Sequence, residues 1–500
     1  MNKSAIIIGG GLGGLFAGAM LSKEGIKVTI LEKNKTIGGG LQSFQRFGVT
    51  FDTGMHVVCG MQENGNIRRI CKYLDIDKEI NLTPTDNIAD RIYVESDGKT
   101  YDIVKGRQGF VSSLSKYFPY EEQNLINYTN ALYNITDKID LYNLRPSEPT
   151  HTIPNFSDAS NIAADKFIAN YLQHSNLRSI SAYTNTIYGG IAGKTPAYVH
   201  AIISTAYMNG INRFAGGSYK FANLLCKVIK SNGGQVLTSQ EVRHITVENK
   251  TISHVETNDN IYTADCYISD IHPCTLFTLL DSNALPKAYK SRLSNTQNTY
   301  SAFQLYIKLK ENTFPYINRS EYYLSHYNNV WKMGEQNHQY PIGFLLMTPP
   351  DEQQGKYSNK ALVTAPMNFD TVAPWVNTHT GNRGSNYEEW KLATTDKILE
   401  KVEQMHPGFR NNIEAINSSS PLTIRDYYSV KDGSMFGLTK DCNNPLQSYI
   451  PVATKIQNLL LTGQNINLHG FCGVPLTAIT TAEAILGNNY IINKINDKNA

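Results

Sequence analysis

The sequence predicts an α/β fold centred on a parallel sheet, and three features carry that expectation. An apolar run, Ala5 to Ile8, passes into glycines spaced Gly9-x-Gly11-x-x-Gly14. A second apolar strand, Ile26 to Leu31, ends on the acid Glu32. Near the C-terminus Leu459-Leu-Leu-Thr-Gly463-Gln464 repeats the strand-to-glycine pattern, followed by a helical stretch to Leu486. Strand, glycine turn, helix and a second strand closed by a carboxylate make the Rossmann-like βαβ unit of dinucleotide sites.

Each glycine of the first turn has a steric reason. Gly9 permits the tight bend, Gly11 lets backbone approach a pyrophosphate, and Gly14 lets the next helix pack against the strand. Phosphates then meet a helix N-terminus, where unpaired N–H groups and the positive dipole end favour an anion. The helix runs from about Gly13 to Glu24 and stops at Gly25, as a left-handed C-terminal glycine requires. Glu32 stands where a carboxylate accepts hydrogen bonds from ribose hydroxyls. The same charge repels a 2′-phosphate, which disfavours NADP and leaves NAD or FAD.

The pattern returns after a long excursion. Gly216 to Lys230 reads as a helix, Gln235 to Thr238 and Val242 to Val247 as strands, and Ile252 to Thr257 with Asn260 to Thr263 as a hairpin beyond the turn Asn249-Lys250. Ala264 to Ile268 then leads into Pro273. These segments group with the N-terminal unit and the C-terminal repeat, so the cofactor domain is expected in three pieces, 1–89, 214–287 and 449–500. The pieces between, 90–213 and 288–448, are expected to form an α+β substrate domain. Within it, Gln123–Asp137, Ser160–Leu172 and Tyr387–Met405 read as helices, and Tyr300–Leu309 and Ala361–Met367 as strands. Gly189 to Pro196 reads as a loop, and Asn377 to Asn386 as a polar, mobile one.

Composition narrows the function classes. Five hundred residues with 41% apolar and 18% charged side chains describe an ordinary globular chain with ample core. A net charge of +3 argues against a nucleic-acid partner. The 30 tyrosines are scattered among Asn and Lys without forming a stacking platform. Seven cysteines show no CxxC and no His/Cys pairing at metal-ligand spacing, so no metal site is expected, and their odd count points to reduced thiols in a cytoplasm. The apolar N-terminus fits the glycine motif better than a signal peptide, and no run approaches the ~20 apolar residues of a membrane span. Gly14-x-x-x-Gly18 is therefore read as helix-to-sheet packing.

Three further motifs carry a family resemblance. Glu32-Lys33-Asn-Lys-Thr-Ile-Gly38-Gly39-Gly40 resembles the second diphosphate-contacting motif of the flavoprotein amine oxidase and phytoene desaturase superfamily. Phe51-Asp-Thr-Gly-Met-His56, Gly216-Gly217 and Gly233 to Val242 resemble its next strand and its returning half. Gly470-Phe-Cys-Gly473-Val474-Pro475 resembles its terminal flavin motif. The Asp-Thr-Gly-x-His pattern, Thr462-Gly-Gln464 and the stretch Tyr427…Gly433…Gly437 look most like the retinol saturase and carotenoid isomerase branch. The chain departs from the pattern at Gly40, where many relatives have Arg, and at Gln464, which cannot supply a carboxylate near the ribityl chain.

The resemblance implies noncovalent FAD held by Gly9, Gly11, Gly13, Gly14, Glu32, Lys33, Gly38, Gly39, Gly40, Val242, Gly463, Gln464, Gly473 and Val474. It implies redox chemistry on C=C bonds of an apolar polyene or isoprenoid lipid, with polyene isomerisation, amine oxidation and a carrier role without turnover as alternatives. In flavoenzymes the cofactor exchanges the hydride, so the protein supplies position, electrostatics and a proton. A helix beginning near Val474-Pro475 would place its N-terminal dipole at the flavin. His56 is the candidate proton donor, or a hydrogen-bonded structural residue. His469 lines the pocket or caps a loop, and Tyr427 closes an aromatic wall or packs. Cys472 lies in a different local context from the attachment cysteine of amine oxidases. No second Gly-x-Gly-x-x-Gly is present, so the electron donor or acceptor is external. An apolar substrate also implies peripheral contact at the inner face of a membrane. The sequence leaves the oligomeric state open.

Overall fold

The computed structural model describes residues 3–148 and 158–500. Its organising element is a five-stranded parallel sheet in the order Leu459–Leu461, Cys266–Ser269, Ser4–Ile8, Lys27–Leu31, Gln235–Leu237. In register, Ile7 lies between Ile30 and Ile268. Both faces of this sheet are covered. Ala5 and Ile7 pack with Leu15, Met20, Ile30 and Phe221, while Ile6 and Ile8 pack with Ile245, Tyr267 and Leu459. A strand buried on both faces must be apolar throughout, which is why Ala5 to Ile8 shows no alternation.

The first helix, Leu12–Lys23, packs between the helices Tyr219–Ser231 and Gly470–Leu486. A β-carbon on Gly18 would stand 3.0 Å from Ile30 Cδ1 and 3.1 Å from Ile229 Cδ1, so the small residue sets how closely this helix approaches both sheet and neighbouring helix. The helix stops as expected, with Gly25 at φ +83°. The expected hairpin forms, Thr251–Glu256 pairing antiparallel with Ile261–Tyr262; His244–Glu248 pairs along the other edge of Thr251–Glu256, and Asn249 and Lys250 make that turn at positive φ. Val242 falls just before that strand rather than inside it.

A second, seven-stranded sheet joins the two intervening pieces of chain. Its order is Ile413–Ser419, Ser301–Leu309, Lys360–Met367, Gly343–Met347, Ser320–Leu324, Ile88–Val94, Lys99–Val104. All neighbours are antiparallel except Ser320–Leu324 against Ile88–Val94. One face buries Phe303, Tyr323, Phe344 and Val363 under the helix Ser385–Met405; the other buries Ile92, Tyr322 and Leu345 under helices of the stretches 107–148 and 158–208.

Two local expectations need correction. The helix expected over Ser160–Leu172 is split into Asp158–Asn161 and Ala164–Tyr171, because Ala163 adopts extended backbone and bridges Pro196. The polar loop Asn377 to Asn386 is pinned rather than loose. Arg383 is buried there, its guanidinium donating to Asp426 Oδ2 at 2.5 Å and to the Thr378 carbonyl at 3.0 Å, and the next helix begins at Ser385. Composition misread this loop because its one buried ion pair is made with a distant helix.

Candidate dinucleotide and substrate site

A single cavity opens at the carboxyl ends of the parallel strands and runs to the face of the seven-stranded sheet. Gly9, Gly11, Gly13, Glu32, Lys33, Gly39, Gly40, Val242, Gln464 and Val474 line one end, and Thr186, Ile203, Tyr207, Gln304, Leu345, Thr364 and Phe436 line the other. Strand Ser4–Ile8 has Lys27–Leu31 on one side and Cys266–Ser269 on the other, so the chain crosses in opposite directions from it. That switch point is where open parallel sheets bind ligands.

The phosphate end is built from glycines stacked on glycines. The first helix starts after Gly11 with no side-chain cap, leaving its first amides directed at the cavity. Glu32 Oε2 accepts from the Gly10 amide and Oε1 from the Asn34 amide, both at 2.8 Å, which fixes the carboxylate at the end of its strand. The Gly38 amide donates to the Gly10 carbonyl at 2.7 Å, and a β-carbon on Gly39 would come within 3.1 Å of Gly11 Cα. Gly14, Gly38, Gly463 and Gly473 do not line the cavity; they stand behind its wall. A β-carbon on Gly14 would collide with the Gly9 carbonyl and one on Gly473 with Leu468, while Gly13 faces Gly463 Cα at 2.8 Å from its would-be β-carbon. Gly40 has open space where a side chain would go. Lys33 turns away from the glycines and donates to the Asp426 carbonyl at 2.8 Å and to Ser429 Oγ at 2.5 Å. Burial holds its ammonium below its ordinary pKa, partly offset by Glu241, Glu32 and Asp426.

Sequence reasoning missed Asp270. It follows the strand Cys266–Ser269, lines the cavity, and directs its carboxyl at Gly11, Gly13 and Gly463. Burial pushes its pKa up to about 7; the amides of Gly14 and Gly11 oppose that rise and the Glu32 charge adds to it. Its only sequence signal is its place at the end of a predicted strand, and pairing of that strand with Ser4–Ile8 is a tertiary fact.

At the far end the terminal helix begins at Gly470, four residues before the expected Val474-Pro475, so Pro475 lies inside it. His469 makes no side-chain cap; its Nε2 has no protein partner and its ring lies 5.4 Å from Phe436. Burial, aided by the Lys440 charge, pushes its pKa down to about 4, so the ring is neutral. Of the two readings left open, His469 lines the pocket. Tyr427 is half exposed at the mouth, whereas Tyr428 points inward and donates to Thr53 Oγ1 at 2.7 Å.

The cysteine expectation is overturned. Cys59 and Cys472, 413 residues apart, form a disulfide in the cavity wall, and Cys71, Cys226, Cys266, Cys274 and Cys442 are free. Spacing could not reveal the pair. A backbone bridge between Val58 and Asn212, with 2.8 Å hydrogen bonds in both directions, lays the segment after His56 beside the strand Asn212–Phe214, and the Phe214 ring packs 6.0 Å from Phe471 of the terminal helix.

His56 lies in the loop beyond the strand Val49–Asp52, not at its end. Met55 donates its amide to the Gly40 carbonyl at 2.8 Å, which carries His56 into the cavity wall beside the second glycine cluster. Both ring nitrogens are shielded from solvent without a protein partner. Burial lowers its pKa, opposed by the Asp52 charge and aided to a lesser degree by Arg213.

Among the described residues no group of three or more His, Cys, Asp or Glu side chains is arranged to hold a metal ion, and no single helix is long and apolar enough to cross a membrane.

This architecture is a Rossmann-like dinucleotide-binding domain with a second, mixed sheet over its site. Residues 7–74 match the family described as NAD(P)-binding Rossmann-like domain. The fold is similar to cyclohexylamine oxidase from Brevibacterium oxydans, with a TM-score of 0.60 and 14% identity over 97% of this chain and 100% of that one. In sequence the chain is 25% identical to all-trans-retinol 13,14-reductase from Danio rerio over 97% of this chain and 86% of that protein. It is 24% identical to prolycopene isomerase 2, chloroplastic, from an Oncidium hybrid cultivar, over 87% of this chain and 75% of that protein. In sequence the chain is thus similar to a retinol reductase and a carotenoid isomerase, the resemblance its motifs imply.

Proposed function

We propose that the protein is a noncovalent FAD oxidoreductase that acts on C=C bonds of an apolar polyene or isoprenoid lipid, in the saturating or desaturating direction. The observation that carries this reading is the division of the cavity. Its carboxylates, Glu32, Glu241 and Asp270, all belong to the dinucleotide end, whereas the wall toward the seven-stranded sheet is made of Ile187, Ile203, Tyr207, Leu345, Ile424, Val430, Met435 and Phe436 with uncharged polar groups between them. Burying an ammonium group there without a counter-charge is expensive, which disfavours an amine substrate; burying an apolar chain is favourable at about 25 cal/mol per Å².

The residues present fit FAD. The uncapped helix behind Gly11 and the stacked glycines suit a pyrophosphate, Glu32 suits ribose hydroxyls, and the helix starting at Gly470 offers a second N-terminus at the other end of the same cavity. When bound, a flavin supplies hydride transfer. The bond between the Cys472 sulfur and Cys59, which takes that thiol out of play, supports noncovalent attachment. His56 would donate the proton that accompanies hydride addition to an olefin, its ring held at the cavity wall by the Met55 and Val58 backbone bonds.

A substrate of this class dissolves in a bilayer, so we place the protein at the inner face of the membrane through peripheral contact, in the cytoplasm, where five free thiols are stable. The Cys59–Cys472 disulfide lies in the wall of the site. Product analysis by mass, after incubation with an extracted lipid pool and a reductant, tests the reading. A gain of two mass units marks a saturase and a loss of two a desaturase; unchanged mass with altered absorbance marks an isomerase. Turnover of water-soluble amines with no effect on polyenes would overturn it.

A further inference from the structure

We propose that Asp90 is the proton reservoir that recharges His56, through water held in a polar chamber between them. The inference rests on the olefin reading above and extends it to the source of the proton.

The chamber is defined by buried polar atoms that have no protein partner. They are both ring nitrogens of His56, Nε of Arg213, Oδ1 of Asp90 and the hydroxyl of Tyr322. Their contiguity follows from bonded neighbours. The Val58–Asn212 bridge lays the His56 segment beside Arg213. Arg213, almost fully buried, reaches Ser320 Oγ at 3.4 Å and the Thr348 carbonyl at 3.2 Å. Ser320 is the register partner of Asp90 in the parallel pair of strands, and Tyr322 lies on the same face of its strand as Ser320. Tyr183 donates to Asp90 Oδ2 at 2.8 Å and packs its ring edge-on against Tyr322, centroids 5.0 Å apart. Orphaned polar atoms in a protein interior are normally satisfied by bound water.

Stability gives no reason for this cluster. A buried Asp–Arg pair is typically matched or bettered by apolar side chains of the same volume. Its chemistry does give one. Burial pushes the Asp90 pKa up to about 7, with Tyr183, Arg213 and Ser320 opposing the rise, so the acid is poised to give and regain a proton near neutrality. The titratable and charged groups around it are Arg213, Tyr183, Tyr322 and Tyr207; those facing His56 are Asp52 and Arg213.

The proton accounting closes. His56 is neutral, and its two free nitrogens allow it to pass a proton without ever holding a net charge. One N–H gives its proton to the olefin carbon opposite the one receiving hydride from the reduced cofactor. The other nitrogen takes a proton through water from the Asp90 carboxylic acid. Asp90 is left as a carboxylate under the Arg213 charge and His56 in the opposite tautomer; between turnovers solvent reprotonates Asp90 and a flip of the imidazole returns its N–H to the olefin side. Asp90 touches no substrate, so it is a positioning and supply residue, not a catalytic one.

The test is Asp90→Asn, which keeps the shape and the Tyr183 contact. Two quantities are read: the infrared C=O stretch of protonated carboxyls against pH, and the pH profile of olefin reduction. In the wild type the carboxyl absorption titrating near pH 7 should have two contributions, Asp90 and Asp270, and Asp90→Asn should remove the one that Asp270→Asn leaves. The Asp90→Asn variant should load flavin and accept electrons anaerobically as the wild type does, but reduce olefin at least tenfold more slowly and lose the pH dependence near 7. Tyr183→Phe, which removes one hydrogen bond to the carboxylate, should move the midpoint of the Asp90 contribution upward, and it serves if Asp90→Asn folds poorly. An absent Asp90 contribution, or an unmoved pH profile in Asp90→Asn and Tyr183→Phe, overturns the reservoir. An Asp90 contribution that titrates in a protein that leaves olefins untouched overturns the olefin reading instead.

Discussion

A β-carbon added to Gly11 would stand 2.7 Å from Oδ2 of Asp270, so the acid and the glycine turn enclose one small space at the start of the first helix. That gap admits no further atom; the pyrophosphate of a dinucleotide would lie beside it, at the first amides of the helix. Gly11→Val forces a branched side chain against Asp270 and toward the ligand. The variant should purify colourless, and a full flavin spectrum would show the phosphate site to be elsewhere.

Asp270 itself should make flavin binding depend on pH. The native pKa of about 7 lies above the roughly 3.9 of an unfolded aspartate. The folded protein therefore keeps a proton that the unfolded chain releases, and the associated stability is present below about pH 4 and lost as pH rises through 7. A carboxylate formed above pH 7 also repels the pyrophosphate. Flavin affinity should fall by up to tenfold per pH unit above that point. Asp270→Asn should flatten the dependence, and its melting temperature should gain on the wild type between pH 4 and 7. Identical titration curves for the two proteins would show that Asp270 stays away from the phosphates.

His56→Gln should retain FAD and be reduced normally by the donor, while olefin-dependent reoxidation slows by about 10²-fold or more, the usual size of a general-acid contribution. Stopped-flow absorbance separates the two half-reactions. Unchanged reoxidation returns His56 to a structural role, and loss of flavin makes it a cofactor-site residue.

The Cys59–Cys472 bond closes a very long loop across the cavity wall. Thiol titration in denaturant should count five cysteines before reduction and all seven after it. Replacing both by Ala should cost about 2–4 kcal/mol, seen as a lower denaturant midpoint. Seven reactive thiols in the unreduced protein would disprove the bond.

The sequence by itself determined the local parts. Ala5 to Ile8, the glycine spacing, Gly25 and Glu32 each obey a rule with a range of a few residues: burial on both faces, close backbone approach, a left-handed stop, a carboxylate at a strand end. The helices Glu122–Asp137 and Ser385–Met405 and the strands Ser301–Leu309 and Lys360–Met367 were legible for the same reason. What the tertiary structure alone decided are relations between distant segments. Asp270 meets Gly11 because the strand before it pairs with Ser4–Ile8; Cys59 meets Cys472, and Asp90 meets Tyr183, across hundreds or scores of residues. Even Arg383, in a loop whose composition reads as mobile, is fixed by Asp426. Periodicity and propensity report on neighbours along the chain, whereas a buried charge is tolerated only where the fold brings it a partner, and no local pattern encodes which partner that is.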